Sequence, residues 1–257
     1  MSIEQALALI PSYVLVFFRI TGMMVFAPLF GSARIPRRVK VLFAAILAIG
    51  FLGAVPADVK LPQTTWALAV GIGGELAFGI AMGMALAFAF IAAQWAGEMI
   101  GQQMGLNMSE VLDPQFGAQS SVIGDLYFML TLVVFLLVRG HHAMLRGVHA
   151  SFQSLPLLSV GIDQNMMDVL VNMLSACTML ALQLAAPMLV TMLIVDLALG
   201  FVGKTMPQIN VMSAGLSMRS ALGMVVVITG LMLTSQIMRS ALIDAMQAVA
   251  SGWSKGG

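Results

Sequence analysis

Six long apolar runs constrain the fold of this chain more than any other feature of its sequence. They cover residues 6–30, 41–55, 66–96, 123–138, 169–202 and 221–238. None of them alternates apolar and polar residues as a half-buried strand does, and an open sheet edge is costly in lipid. Charged residues make up only 9% of the chain, whereas a soluble domain carries about 25%. We therefore predict an all-α protein of the integral membrane type.

The lengths of these runs do not fit a simple bundle of membrane-spanning helices. A spanning helix needs about 20 apolar residues, within a range of about 17–25. Residues 41–55 and 123–138 fall short of that range, and residues 66–96 and 169–202 exceed it without being long enough for two spans. Pro187 lies inside the second long run, where a proline removes a hydrogen bond and bends a helix. We expect kinked helices and helical hairpins that pack against other protein.

Net charge and cysteine content exclude several classes of function. The formal net charge is +1, so there is no electrostatic case for binding nucleic acid. Cys177 is the single cysteine, which rules out a disulfide framework or a cysteine metal cluster within the chain. The positive-inside rule places the basic segment at residues 31–40 in the cytoplasm. The charge bias over the rest of the chain is too weak to set a topology.

Small residues recur at every fourth position through the third run. This ladder consists of Gly73, Ala77, Ala81, Ala85, Ala89, Ala93, Gly97, Gly101 and Gly105. Such spacing lets membrane helices approach closely, although alanine-rich helices also produce ladders by chance. Because four residues overshoot a helical turn of about 3.6 residues, the stripe winds around the helix. Either several neighbours contact this helix in turn, or the helix breaks. The last three glycines lie beside polar residues and are predicted to form a hinge and a packing seam.

Ionisable residues inside apolar runs are candidates for function. Arg19, Glu75 and Asp196 lie within runs, and Glu98 lies two residues after the third run. A proton relay would need several such groups along one path, whereas ion pairs between packed helices would give them a structural role. The sequence leaves both interpretations open.

The sequence contains no set of residues for catalysis, and we predict neither enzymatic activity nor a cofactor. It has no Ser/His/Asp set, phosphate-binding loop or dinucleotide fingerprint. The three histidines lie in residues 139–168, which we interpret as a connecting segment. His142 and His149 are seven residues apart with no carboxylate between them, unlike the i, i+4 pair of a zinc motif. No metal site is predicted.

The polar, turn-rich segment after the third run carries an unusual set of apolar side chains. They are Met104, Leu106, Met108, Val111, Leu112 and Phe116. Apolar side chains that stay exposed to water in a polar loop are unfavourable, and burying them stabilises the folded protein. We therefore expect them to bury against a protein surface or within a constriction.

Several short motifs occur in a specific order along the chain. They are Arg19, Phe-Gly at residues 30–31, Ala-Gly-Glu-Met-Ile-Gly-Gln-Gln-Met-Gly-Leu at 96–106, Asp-Pro-Gln-Phe-Gly at 113–117, Ser-Phe-Gln-Ser-Leu-Pro at 151–156, Asp-Leu-Ala-Leu-Gly at 196–200 and Pro-Gln-Ile-Asn-Val at 207–211. This ordered set resembles the FliR family, the R or T subunit of the export gate in flagellar and virulence type III secretion. The resemblance covers nearly the whole chain.

The resemblance implies an architecture, partners and a location. One R subunit joins several P and Q subunits (FliP and FliQ) in a hetero-oligomeric helical ring, with FlhB docked against it. The whole chain, residues 1–257, would be one gate subunit, with an N-terminal part at 1–121 that is P-like or a hairpin and a C-terminal part at 122–257. It would lie in the bacterial inner membrane within the flagellar basal body, where unfolded flagellar proteins leave the cytoplasm.

The resemblance also implies roles for individual residues. By position, residues 105–117 correspond to the loop that plugs the closed pore of the family. The apolar set from Met104 to Phe116 would then seal the pore. Gly97, Gly101 and Gly105 would provide the hinge and packing seam, together with Asp113, Pro114 and Gly117. Met104 and its flexible neighbours would let the seal re-form around a passing chain.

Two alternatives accompany this interpretation. The chain could be the homologous gate subunit of a virulence system. It could also be an ion-coupled secondary transporter, with Glu75 and Asp196 in interrupted helices as its site.

Overall fold

The computed structural model describes residues 3–28, 30–31, 35–55, 64–106, 121–158, 164–206 and 211–251. Within these ranges the chain forms α-helices and no strand, which confirms the all-α prediction. The helices are α1 (Ile3–Phe26), α2 (Arg37–Phe51, followed by a 3-10 turn at Leu52–Ala54), α3 (Thr65–Gln103), α4 (Val122–Leu137), α5 (Gly140–Ser154), α6 (Gln164–Thr205) and α7 (Val211–Ser251).

Three of these helices are long and apolar enough to cross a membrane. They are α3, α6 and α7, with 39, 42 and 41 residues. Helices α4 and α5 add a fourth crossing only when they are taken together across the break between them. The described residues therefore do not form six separate spanning helices. This agrees with the run lengths, which do not fit a simple bundle of such helices.

The segment after the fourth run differs from the expectation. Residues 139–168 were interpreted as a connection, but Gly140–Ser154 is a helix. The backbone at Arg139 is left-handed, with φ 56°, which ends α4 and allows a new helix to begin. A search for long apolar runs misses α5 because this helix is amphipathic. Its buried Met144, Val148 and Phe152 recur at every fourth position, with polar residues between them.

The chain divides into two compact units, each assembled from separate stretches of sequence. Unit 1 comprises Met1–Phe88, Val138–Ser175 and Leu242–Gly257, and unit 2 comprises Ala89–Leu137 and Ala176–Ala241. The three long helices α3, α6 and α7 each contribute residues to both units. The predicted division at residue 121 stays a prediction.

In unit 1, glycines bring the backbones of α1 and α3 into direct contact. A Cβ atom at Gly79 would lie 2.0 Å from the carbonyl oxygen of Arg19, and one at Gly83 would lie 2.4 Å from that of Met23. On α1, a Cβ at Gly22 would lie 2.4 Å from the carbonyl oxygen of Leu76. No larger residue fits at such distances, so this close approach depends on glycine.

In unit 2, α3 contacts a different helix in the same way. A Cβ at Gly97 would lie 2.6 Å from the Cα of Gly124 on α4. The ladder is buried from position 81 to position 101, and α3 runs unbroken to Gln103. Of the two alternatives for the ladder, the structure shows the first, since different neighbours contact α3 in turn.

We expect the substitution Gly79→Ala to destabilise the protein by about 2–3 kcal/mol, because the added methyl group meets backbone that cannot move aside. Gly73→Ala is the matched control on the same helix, since a Cβ there has no neighbour within 4 Å. That control should be neutral or slightly stabilising. Thermal unfolding in detergent, followed by circular dichroism, measures both. Equal unfolding temperatures for the two variants would contradict the role given to Gly79.

Helices α6 and α7 leave most of their apolar surface uncovered. In the most apolar stretch of each helix, the buried share is 17% in α6 and 22% in α7, compared with 67% in α3. The exposed side chains include Leu193, Ile194, Leu197 and Phe201 on α6 and Val225, Ile228 and Met232 on α7. Soluble monomers rarely expose apolar patches of this kind. This surface is therefore suited to contact lipid or other subunits.

Candidate functional site

A buried ion pair joins α1 to α3 in unit 1. Arg19 Nε lies 2.5 Å from Glu75 Oε2, and the two residues are 1% and 0% exposed. Removing two charges from water costs several kcal/mol per ion. The attraction between the charges offsets this cost only when further hydrogen bonds satisfy both groups. The end of α5 supplies those hydrogen bonds.

The guanidinium of Arg19 caps the C-terminal end of α5. Its Nη1 donates to the carbonyl oxygens of Ser151 at 3.3 Å and Leu155 at 3.2 Å, and Nη2 donates to the same oxygen of Leu155 at 3.3 Å. The carbonyl oxygen of Ser151 also accepts from the backbone N–H of Leu155, whereas a carbonyl group at the very end of a helix, such as that of Leu155, lacks a partner within the helix. A cation is favourable there. A residue of α1 therefore completes the hydrogen bonding of a helix more than 130 positions further along the chain.

The second carboxylate oxygen of Glu75 holds the turn that follows α5. Glu75 Oε1 accepts a hydrogen bond from the backbone N–H of Leu158 at 2.9 Å. Leu158 has a left-handed backbone with φ 68°, a conformation that is uncommon for residues other than glycine. Both oxygens of Glu75 are thus engaged by the protein itself.

Two aromatic rings enclose the guanidinium group. The Cζ atom of Arg19 lies 4.9 Å from the ring centroid of Phe78 and 4.7 Å from that of Phe152. Cations over aromatic faces at such distances gain electrostatic energy, most when they are desolvated. We call Arg19, Glu75, Phe78, Ser151 and Phe152 the Arg19 cluster. Its charges are paired, its hydrogen bonds connect three helices, and its chemistry is that of a structural clamp.

The other candidate charges lie in unit 2. Arg219 Nη2 of α7 lies 2.6 Å from Asp196 Oδ1 of α6, and the two side chains are 39% and 40% exposed. Glu98 lies beside the crossing of α3 and α4, where its Cγ would be 3.3 Å from a Cβ at Gly124. Among the described residues Glu98 forms no ion pair. Both carboxylates that a transporter site would use, Glu75 and Asp196, are paired with arginine.

Helix α3 ends at the start of the predicted plug in a Schellman motif. The N–H of Leu106 donates to the carbonyl oxygen of Gly101, and that of Gly105 to the carbonyl oxygen of Gln102, both at 3.0 Å. Gly105 has φ +74°, the left-handed conformation that this motif requires at the position after the cap. The chain therefore turns out of the helix at Gly105, whereas Gly97 and Gly101 lie buried within the helix.

Met104 anchors the end of α3 in the core of unit 2. It is fully buried and belongs to a core cluster that includes Met188 and Met192 of α6. A Cβ at Gly223 of α7 would lie 2.4 Å from Met104 Cγ and 2.6 Å from Met188 Cε, so the missing side chain leaves space for both methionines. Leu106 is 41% exposed, so the chain leaves the core within two residues of this anchor.

The remaining residues of the predicted plug lie outside the described residues. They are Met108, Val111, Leu112 and Phe116 of the apolar set, with Asp113, Pro114 and Gly117. The sealing and hinge roles given to this region stay predictions. Sequence reasoning missed Ser151 and Leu158 as partners of the ion pair, and Gly223 as the position that faces Met104. The local signal for Gly223 is a glycine inside an apolar helix, which often indicates close packing.

We expect Gly105→Ala to lower stability by about 1–2 kcal/mol, because alanine is unfavourable in the left-handed conformation by that amount. Gly105→Asn should cost less, since asparagine tolerates this conformation at the end of a helix. Thermal unfolding ranks the two variants against the parent protein. If alanine and asparagine prove equally tolerated, the helix end does not depend on the conformation of Gly105.

Comparison with known proteins identifies the family. Residues 10–245 match the bacterial export proteins, family 1. The chain is 32% identical over 226 residues to the flagellar biosynthetic protein FliR of Bacillus subtilis, which covers 86% of each chain. It is 28% identical over 220 residues to FliR of Escherichia coli, which covers 86% of this chain and 84% of that protein.

A relative that does not carry the FliR name is also similar. The surface presentation of antigens protein SpaR of Shigella flexneri is 24% identical over 217 residues, which covers 82% of each chain. The match to the family spans α2 through α6 entirely and most of α1 and α7. It therefore includes both the Arg19 cluster and the anchored end of α3. The chain belongs to family 1 of the bacterial export proteins, the family of the flagellar biosynthetic protein FliR.

Proposed function

We propose that this chain is a non-enzymatic subunit of the flagellar type III export gate in the bacterial inner membrane. With the P and Q subunits it forms the pore through which unfolded flagellar proteins leave the cytoplasm, and FlhB docks against this assembly. The family match supports a role in the export apparatus. The higher identity to FliR of Bacillus subtilis, 32%, than to SpaR, 24%, favours the flagellar system.

We further propose that residues 105–117 plug the closed pore. The observation that carries this proposal is the way in which α3 ends. Met104 is fully buried against α6 and α7, and the Schellman motif at Gly105 turns the chain out of the helix directly afterwards. The apolar loop therefore starts from a fixed point in a packed core. A seal needs such a point, because a loop without one would leave the pore open for part of the time.

The exposed apolar surface of α6 and α7 supports the proposal that other subunits complete the fold. Obligate interfaces are large and resemble a protein core that has been divided, and these two helices present rows of exposed leucine, isoleucine and valine. The transporter alternative has less support, because the Arg19 cluster and the Asp196–Arg219 pair occupy the carboxylates that would bind its coupling ion.

Co-expression tests this assignment. We expect the chain to be isolated as a stable, monodisperse complex when it is produced with P and Q subunits, and to aggregate or to be degraded when it is produced alone. Size-exclusion chromatography in detergent, with subunit masses from native mass spectrometry, measures both outcomes. A chain that is monodisperse and thermally stable by itself, and that excludes P and Q, would contradict the assignment.

A further inference from the structure

Helix α2 has one face that packs against α1 and one that is uncovered. Ala44 and Ala48 are buried on the inner face, where Tyr13 of α1 also donates a hydrogen bond to the carbonyl oxygen of Ala45. The outer face carries Val39, Leu42, Ile46 and Ile49, which are 52–65% exposed. Their spacing of three, four and three residues forms one continuous stripe along the helix. We call these four residues the α2 stripe.

The same helix carries an uncompensated cluster of positive charge at its N-terminal end. Arg37 and Arg38 are exposed, and Lys40 is half-buried. The sequence has no acidic residue between Glu4 and Asp58, and none of the three cations pairs with a described carboxylate. Cations at the start of a helix are opposed by the helix dipole. Their position therefore costs stability unless an anion lies beside them.

We propose that α2 docks on an anionic phospholipid bilayer, with the α2 stripe among the acyl chains and Arg37, Arg38 and Lys40 at the headgroup phosphates. The helix is about 22 Å long at about 1.5 Å per residue, which is shorter than the hydrocarbon core of about 30 Å. It can therefore enter the membrane from one side without crossing it. Long basic side chains at the end of such a helix extend to the phosphates while their stems cover apolar surface.

The position of the charges favours lipid over a protein partner. The cations lie at one end of the aliphatic α2 stripe and not around it. This is the arrangement of a helix that meets a charged headgroup layer at one level, where each basic residue adds to the attraction.

Lipid titration of the purified gate complex tests the proposal. The complex is delipidated in neutral detergent and titrated with phosphatidylglycerol or phosphatidylcholine, and bound lipid is counted by native mass spectrometry. The test variant is R37Q/R38Q/K40Q. The matched control, R146Q/K204Q/R239Q, removes three other cations, all of them exposed. Thermal unfolding in phosphatidylcholine first verifies that both variants are folded.

We expect the parent and the control to bind phosphatidylglycerol more tightly than phosphatidylcholine. The test variant should lose about 100-fold in phosphatidylglycerol affinity, which corresponds to about 3 kcal/mol. Unchanged phosphatidylglycerol binding by the test variant, or an equal loss in the control, overturns the proposal.

A photocrosslinking residue at Ile46 identifies what covers the α2 stripe in native membranes. Lipid adducts support the proposal. Adducts to another subunit of the complex would overturn it, because they would show that the stripe is a protein interface.

Discussion

Replacing either member of the buried ion pair alone, by Arg19→Met or Glu75→Leu, should cost about 3–5 kcal/mol of folding free energy. Each single variant leaves the other charge buried without a partner. Arg19→Met also removes the donors to the carbonyl oxygens of Ser151 and Leu155, and Glu75→Leu removes the acceptor for the amide of Leu158. A domain is stable by only about 5–15 kcal/mol, so we expect little folded protein from either variant.

The double variant R19M/E75L should be more stable than either single variant. It removes both charges together, and apolar side chains of similar volume often replace a buried ion pair without loss. The orphaned carbonyl group of Leu155 and the amide of Leu158 keep it less stable than the parent protein. This order, with the parent first, the double variant second and the singles last, is the expected signature of an ion pair that acts as a clamp.

The second ion pair of the chain provides the matched control. Asp196 and Arg219 are about 40% exposed, and exposed pairs contribute about 0–1 kcal/mol. Asp196→Asn should therefore leave the free energy of unfolding nearly unchanged. Chemical denaturation of the gate complex in detergent, followed by tryptophan fluorescence or circular dichroism, compares all the variants. A loss from Arg19→Met no larger than that from Asp196→Asn would contradict the structural role of the Arg19 cluster.

The sequence predicts the helical class well because the runs that a membrane protein must bury are long and almost free of charge. It also predicts the winding of the ladder on α3, since a four-residue period on a helix of about 3.6 residues per turn must change faces. The neighbours on those faces are a different matter. Gly79, which lies outside the ladder, meets α1, and Gly97 of the ladder meets α4. Local spacing contains no information about which helix packs at each position.

The Arg19 cluster shows the same limit. Arg19 and Glu75 stand out as charges in apolar runs, but they are 56 positions apart, and Ser151 lies 132 positions from Arg19. Only tertiary packing brings these residues together. Helix α5 was missed for a related reason, because it buries one face and leaves the rest polar. By contrast, the end of α3 can be predicted locally, since a glycine after a helical run is the usual terminator.

Deleting residues 106–116 should leave the gate assembled but make it permeable to small ions. The deletion begins after Gly105, so every residue of α3, the buried Met104 and the left-handed Gly105 are retained. The core of unit 2 that includes Met188 and Met192 loses none of its members. Assembly with P and Q should therefore be preserved, while the apolar side chains proposed to close the pore are absent.

A second variant separates the apolar character of the loop from its presence. Replacing Leu106, Met108, Val111, Leu112 and Phe116 by serine keeps the loop at full length. It should also leak, because serine side chains do not exclude water from a closed constriction. Met108→Leu is the conservative control and should keep the gate closed.

The most direct measurement is ion flux through the complex reconstituted with P and Q in liposomes, recorded as the release of trapped potassium. Native mass spectrometry on the same preparations shows whether the subunit ratio matches that of the parent complex. We predict tight liposomes for the parent and for Met108→Leu, and rapid potassium release for the deletion and the serine variant. A fully assembled deletion complex that holds potassium as well as the parent does would contradict the assignment of residues 105–117 as the plug.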